Sequence, residues 1–141
     1  MRVEESRVLL AAREEVWALV AEPFHLPDWW PAYTGVEPDR RGIAEGARWT
    51  VLRSRAPGLL RKPRGRGLIV IQRVITGGEV VWLDVKQQVE AGLRLEDEGR
   101  QTLATAFVEG PIWRLYAEGA RGLPRHALAR LYELCQTAAR L

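Results

Sequence analysis

The chain has 141 residues, 47% of them hydrophobic and 28% charged, which suits one domain spanning 1–141 with a core that needs no staples. One cysteine excludes an internal disulfide, two histidines leave no clustered zinc spacing, and no run approaches the roughly 18 consecutive apolar residues of a membrane span. The net charge of +3 is mild and falls almost entirely on arginine, since Lys62 and Lys86 are the only lysines.

Asparagine is absent, and Met and Cys occur once each. Such scarcity of thermolabile side chains fits a hot habitat, although a GC-rich genome gives the same arginine bias. No secretory h-region appears at the N-terminus, so the expected location is cytoplasmic.

In chain order, Arg2–Ala11 reads as a first strand through Val3, Val8, Leu9 and Leu10. Arg13–Val20 turns helical, with Val16, Leu19 and Val20 along one side. Glu14 and Glu15 sit in its first turn, where the helix dipole favours negative charge. Pro23, Pro27 and Pro31 restrict the next stretch to short helical turns, with Trp29, Trp30 and Tyr33 packed among them.

From Gly35 strands succeed one another, near Val36–Arg40, Ala47–Arg55, Gly67–Thr76, Glu79–Val89, Leu93–Glu98 and Arg100–Val108. Thr76-Gly77-Gly78-Glu79 reads as a two-residue hairpin turn, because paired glycines accept positive φ. That register sets Val74 against Val81, Gln72 against Leu83, Val70 against Val85 and Leu68 against Gln87. The face so defined carries apolar groups and two glutamines. Ile69, Ile71, Arg73, Trp82, Asp84 and Lys86 form the other face, which is expected to be the wetter one.

The chain ends in helices. A short one is expected near Pro111–Ala120, then a break at Gly122, then a main helix near Pro124–Arg140. Leu128, Leu131, Leu134, Cys135 and Ala138 recur at three- and four-residue steps and make its apolar face. Pro124 is tolerated in a first turn, where its missing N–H would be unbonded anyway.

Leu9-x-Ala11-x-x-Glu14-x-Val16-Trp17, Leu26-Pro27-x-Trp29-x-Pro31, Glu45-Gly46 and Gly99-Arg100-Gln101-Thr102 resemble motifs of the START-like (SRPBCC) superfamily. That superfamily includes polyketide cyclases, lipid-transfer proteins and the birch-pollen allergen. The resemblance spans the chain in order and implies an α+β helix-grip fold, with a curved seven-stranded antiparallel sheet around a long C-terminal helix. It also implies an internal cavity that binds a lipid-like or polycyclic hydrophobic molecule, and the residue inventory itself suggests no cofactor and no metal. Cyclase or aromatase chemistry and a co-chaperone-like interaction module are the alternatives, since one fold hosts many functions.

Candidate ligand contacts are Val70, Gln72, Leu83, Val85 and Gln87 on the face expected to meet the last helix, with Trp113 and Tyr116 nearby. Tyr33 and Trp49 belong to the aromatic set, because a cavity needs rings with a directed N–H or O–H. Glu5 and Arg7 share alternation with Leu9 and point inward if Leu9 does. They are either an acid–cation pair for a polar ligand group or a pair at an exposed strand end.

No catalytic constellation is evident. Ser6 and Ser54 lie in no nucleophile elbow, and Cys135 sits on an apolar helix face. The stretch from Arg53 to Arg66 holds six cations and no acid. It reads as a loop near the cavity mouth, suited to an anionic ligand tail, an acidic partner or a membrane surface, or simply solvated. No nucleic-acid partner and no stable membrane insertion are expected, and the oligomeric state is not encoded in any feature found.

Overall fold

The computed structural model describes residues 1–53, 65–117 and 119–139. Its elements are β1 (Arg2–Leu9), α1 (Arg13–Val20), α2 (Leu26–Trp29), β2 (Tyr33–Glu37), β3 (Arg48–Arg53), β4 (Arg66–Ile75), β5 (Glu79–Asp84), β6 (Val89–Glu98), β7 (Gln101–Glu109), α3 (Ile112–Ala117) and α4 (Leu123–Ala139). A 3-10 turn at Pro23–His25 leads into α2, and another at Ala120–Gly122 leads into α4. The seven strands make one antiparallel sheet in the order β1-β7-β6-β5-β4-β3-β2. This is the expected α+β architecture.

The long helix α4 lies across β1 and β7, and α2 bridges from α4 to β2. Its buried stripe is Ala127, Leu128, Leu131 and Cys135, with Leu134 half-buried at the margin. Thr102, Ala104, Ala106 and Val108 face it from β7, all fully buried. Small side chains there let the helix backbone approach the sheet. The buried Thr102 hydroxyl donates to the Ala11 carbonyl at 2.8 Å, so it is not left unmet. Arg13 fastens α1 to the far end of the sheet, its Nε donating to Asp97 and its Nη1 to the Gly77 carbonyl.

Three features of the β4–β5–β6 region differ from the expected register. Ile75 pairs with Glu79, so the turn holds three residues, Thr76–Gly78, with Gly77 at φ 79°. Gln72 is an extra residue between the Ile71–Trp82 and Arg73–Val81 pairs, a β-bulge that reverses the alternation along β4. The expected strand Glu79–Val89 ends at Asp84, and residues 85–88 form a turn with Gln88 in the left-handed region at φ 54°.

These shifts correct the assignment of faces. Val70 stands opposite Leu83 and not Val85, and the Val70–Leu83 pair lies on the outer face, while Ile69, Ile71, Trp82 and Asp84 are buried on the inner one. The bulge removes Arg73 from the inner face, and the turn removes Lys86 from the strand altogether. What β4 and β5 leave on the inner face beside these is apolar except for Asp84. Most of the Arg53–Arg66 basic stretch lies in 54–64, outside the described residues.

Candidate functional site

Opposite the middle of the sheet, α2 ends in Trp29 and Trp30, and the chain turns at once into Tyr33 at the start of β2. Pro27 in the first turn of α2 and Pro31 just beyond it keep this helix to a single turn. Both indoles therefore point at β5. Trp82 meets them edge to face, with ring centroids 5.8 Å from Trp29 and 5.1 Å from Trp30. Trp29 and Trp30 are 6.0 Å apart and also T-shaped. This arrangement sets each ring's positive edge against a neighbour's negative face. All three are essentially inaccessible to solvent.

Two residues along β5, Asp84 shares the inner face with Trp82, so period-two alternation brings the carboxylate beside the indoles. The Tyr33 hydroxyl donates to Asp84 Oδ2 at 2.9 Å, and Arg53 Nη2 pairs with the same oxygen. The Gln87 backbone N–H donates to Oδ1 at 3.2 Å, so the acid also closes the β5–β6 turn. Three donors from β2, β3 and the turn thus converge on one buried carboxylate. A buried charge requires such pairing.

Tyr33 has a pKa well above the ordinary 10.0. Burial is the main cause, then the negative charge of Asp84 and the hydrogen bond to it. The Trp82 N–H and Arg53 oppose the rise. Tyr33 is therefore a neutral phenol whose proton is committed to Asp84.

The unmet polarity is on the tryptophans. Nε1 of Trp29 and Nε1 of Trp82 are both buried, and neither makes a hydrogen bond of normal geometry among the described residues. The Trp82 N–H is close enough to the Tyr33 oxygen to oppose its pKa rise, without the geometry of a bond. A buried donor left unmet costs on the order of 1–3 kcal/mol, and the Trp29 N–H bears that cost most plainly, since the Trp82 N–H has the Tyr33 oxygen near it. By contrast Trp49, also buried, donates from Nε1 to the Gly42 carbonyl at 3.0 Å.

The structure scatters the other residues singled out from the sequence. Glu5 and Arg7 do share the inner face, opposite Ala106 and Ala104, and Arg7 lays its guanidinium 4.0 Å over the Tyr132 ring of α4. Both are exposed. Gln72 is exposed at the bulge, on the rim of an outer-face hollow of about 300 Å³ that also touches Arg2, Arg73, Glu79, Val81, Glu90 and Phe107. Val85 is exposed in the turn and Gln87 half-buried there. Trp113 and Tyr116 project from α3 into solvent. Of the residues expected to bind a ligand, only Tyr33, through its hydroxyl, and Gln87, through its backbone N–H, reach Asp84. Arg53, Trp82 and Asp84 were not among them. The signal for Asp84 was its place before Val85-Lys86-Gln87-Gln88, since Asp commonly opens turns by accepting a backbone N–H.

Among the described residues no three His, Cys, Asp or Glu side chains gather in a way that could hold a metal ion. None of the described helices is long and apolar enough to cross a membrane. No protein-family model and no curated protein sequence matches the chain.

Solved structures do match. Protein NE0264 from Nitrosomonas europaea superposes with a TM-score of 0.75 at 17% identity, covering 98% of this chain and 96% of that one. The AHSA1-like protein from Aeromonas hydrophila gives 0.73 at 15%, covering 99% and 94%. DynU16, a protein in the dynemicin biosynthetic locus, gives 0.69 at 16%, covering 97% of this chain and 48% of its own length. At these identities the likeness is one of fold alone, the helix-grip arrangement.

Proposed function

We propose that the chain binds a small, mostly apolar molecule bearing a hydrogen-bond acceptor, on the inner face of the sheet beside Trp29, Tyr33 and Trp82. The observation that carries this reading is the pair of buried indole N–H groups, of Trp29 and Trp82, that make no hydrogen bond of normal geometry among the described residues. Apolar walls from Ile69, Ile71 and the three indoles suit a ring system, and a carbonyl or ether oxygen suits the two donors. The ligand is ring-sized on this reading, because mutually packed indoles occupy the middle of the face.

Binding without chemistry is favoured over cyclase or aromatase catalysis by the state of the polar groups. Both oxygens of Asp84 already accept hydrogen bonds, and Tyr33 is held neutral with its proton engaged. Neither is poised to move a proton at neutral pH.

The test is a matched pair of probes, acetylnaphthalene and ethylnaphthalene, titrated against quenching of tryptophan fluorescence. A single hydrogen bond of about 1 kcal/mol predicts roughly fivefold tighter binding of the acetyl probe. Trp82→Phe should erase that preference while leaving the ethyl probe unchanged. Equal affinity for both probes, or a preference that survives Trp82→Phe together with Trp29→Phe, overturns the reading. Native mass spectrometry of protein from its own host would then identify the natural occupant.

A further inference from the structure

We propose that the outer face of α3 is a docking surface for an anionic lipid bilayer, independent of the ligand site on the inner face of the sheet. Ile112, Trp113 and Tyr116 are 60%, 62% and 55% exposed. They stand at positions i, i+1 and i+4 of one short helix, hence on one side of it. Leu115 turns inward and is fully buried. Folding thus commits Leu115 to the core and leaves three large apolar side chains outside. A single exposed apolar side chain needs no explanation, but a cluster of three does.

The charges around it have one sign in excess. Between Gly110 and His126 the chain has Arg114, Arg121 and Arg125 against Glu118 alone. The Arg114 guanidinium lies 4.3 Å over the Trp113 ring, and that of Arg121 lies 3.9 Å over the Tyr116 ring. Each exposed ring therefore carries a cation on its face, a pairing worth more when water is removed. Amphipathic Trp and Tyr rings settle at the headgroup level of a bilayer, and arginines beside them meet lipid phosphates. Charge complementarity then selects an anionic bilayer over a neutral one.

The experiment is co-sedimentation of the full chain with phosphatidylcholine vesicles, with and without about one-third phosphatidylserine, at low and high salt. Binding is expected to the anionic vesicles and to fall with salt. Trp113→Ala with Tyr116→Ala should abolish it, and Arg114→Gln and Arg121→Gln should each weaken it roughly fivefold. Trp113, Tyr116 and Arg121 are exposed, so thermal unfolding of their variants should match the parent, whereas Arg114 is half-buried with its Nε covered and its variant is compared with the others at equal folded fraction. Three results overturn the proposal: no binding to anionic vesicles, binding unchanged by the aromatic substitutions, or retention on single-stranded RNA that those substitutions abolish while vesicles are ignored.

Discussion

The Tyr33 hydroxyl lies 2.9 Å from Asp84 Oδ2, joining the first residue of β2 to the last of β5 across two intervening strands. The same oxygen meets Arg53 at the end of β3. One carboxylate therefore ties together three strands at the edge of the sheet that α4 does not cover. Tyr33→Phe removes a neutral donor to a charged acceptor and should cost about 1.5–3 kcal/mol in urea unfolding. Arg53→Met should cost more, roughly 3–5 kcal/mol, because it strands a buried anion. If Arg53→Met is the milder change, the carboxylate is better solvated than its burial implies.

Tyr33 also predicts an alkaline signature. Its folded pKa lies above the ordinary 10.0, so its contribution to stability is full below that value and is lost as pH rises through the folded pKa. In the native state it should add no phenolate absorbance near its ordinary pKa. Spectrophotometric titrations of the parent and of Tyr33→Phe should overlay until alkaline unfolding begins, after which the parent alone gains the extra phenolate signal. An earlier divergence would mean that the phenol is reached by solvent in the native fold.

The fold was legible in the sequence because periodicity and turn chemistry report local structure directly. The 3.6-residue recurrence of Leu128, Leu131 and Cys135 marked the α4 face. The candidate site was not legible, for three local reasons. Gln72 has no residue type that announces a bulge, yet it decides on which face Arg73 lies. The Gly77-Gly78 pair fits a two-residue turn as well as the observed three-residue one. Asp84 looks like a wet-face acid until Arg53, Tyr33 and the Gln87 N–H are brought to it by elements far apart in the chain. Charge read residue by residue cannot show a pairing made only in three dimensions.

Two leucines of α4 should respond differently to the same truncation. Leu131 is fully buried and Leu134 only partly so. Leu131→Ala should cost about 2–5 kcal/mol, and Leu134→Ala clearly less, since a partly exposed site leaves no closed cavity. Equal losses would place the helix rotated about its axis from the orientation described.

Cys135, on the same stripe, should be slow to alkylate in the native state. Burial raises its thiol pKa first, and the nearby negative Glu15 on α1 raises it further. A raised pKa means less thiolate at neutral pH. Glu15→Gln should speed alkylation modestly without altering thermal stability by much. Burst labelling of the folded parent would show that α1 and α4 part readily.

Gly92 offers the sharpest test of the outer face. It is buried in β6 opposite Phe107 of β7. A Cβ there would fall 2.6 Å from Phe107 Cε1 and 2.7 Å from the Val80 carbonyl oxygen. Phe107 cannot simply swing outward, because Arg2 lies 3.9 Å over its ring while itself paired to Glu4 and Glu109. Gly92→Ala should therefore destabilise by about 1–3 kcal/mol, the usual range for overpacking. Phe107→Ala removes one of the two clashes and leaves the backbone one. In the double variant the added cost of Gly92→Ala should shrink but not vanish, which a double-mutant cycle measures as positive coupling. Full rescue would mean that β5 gives way at Val80, and no coupling would mean that the ring already sits elsewhere.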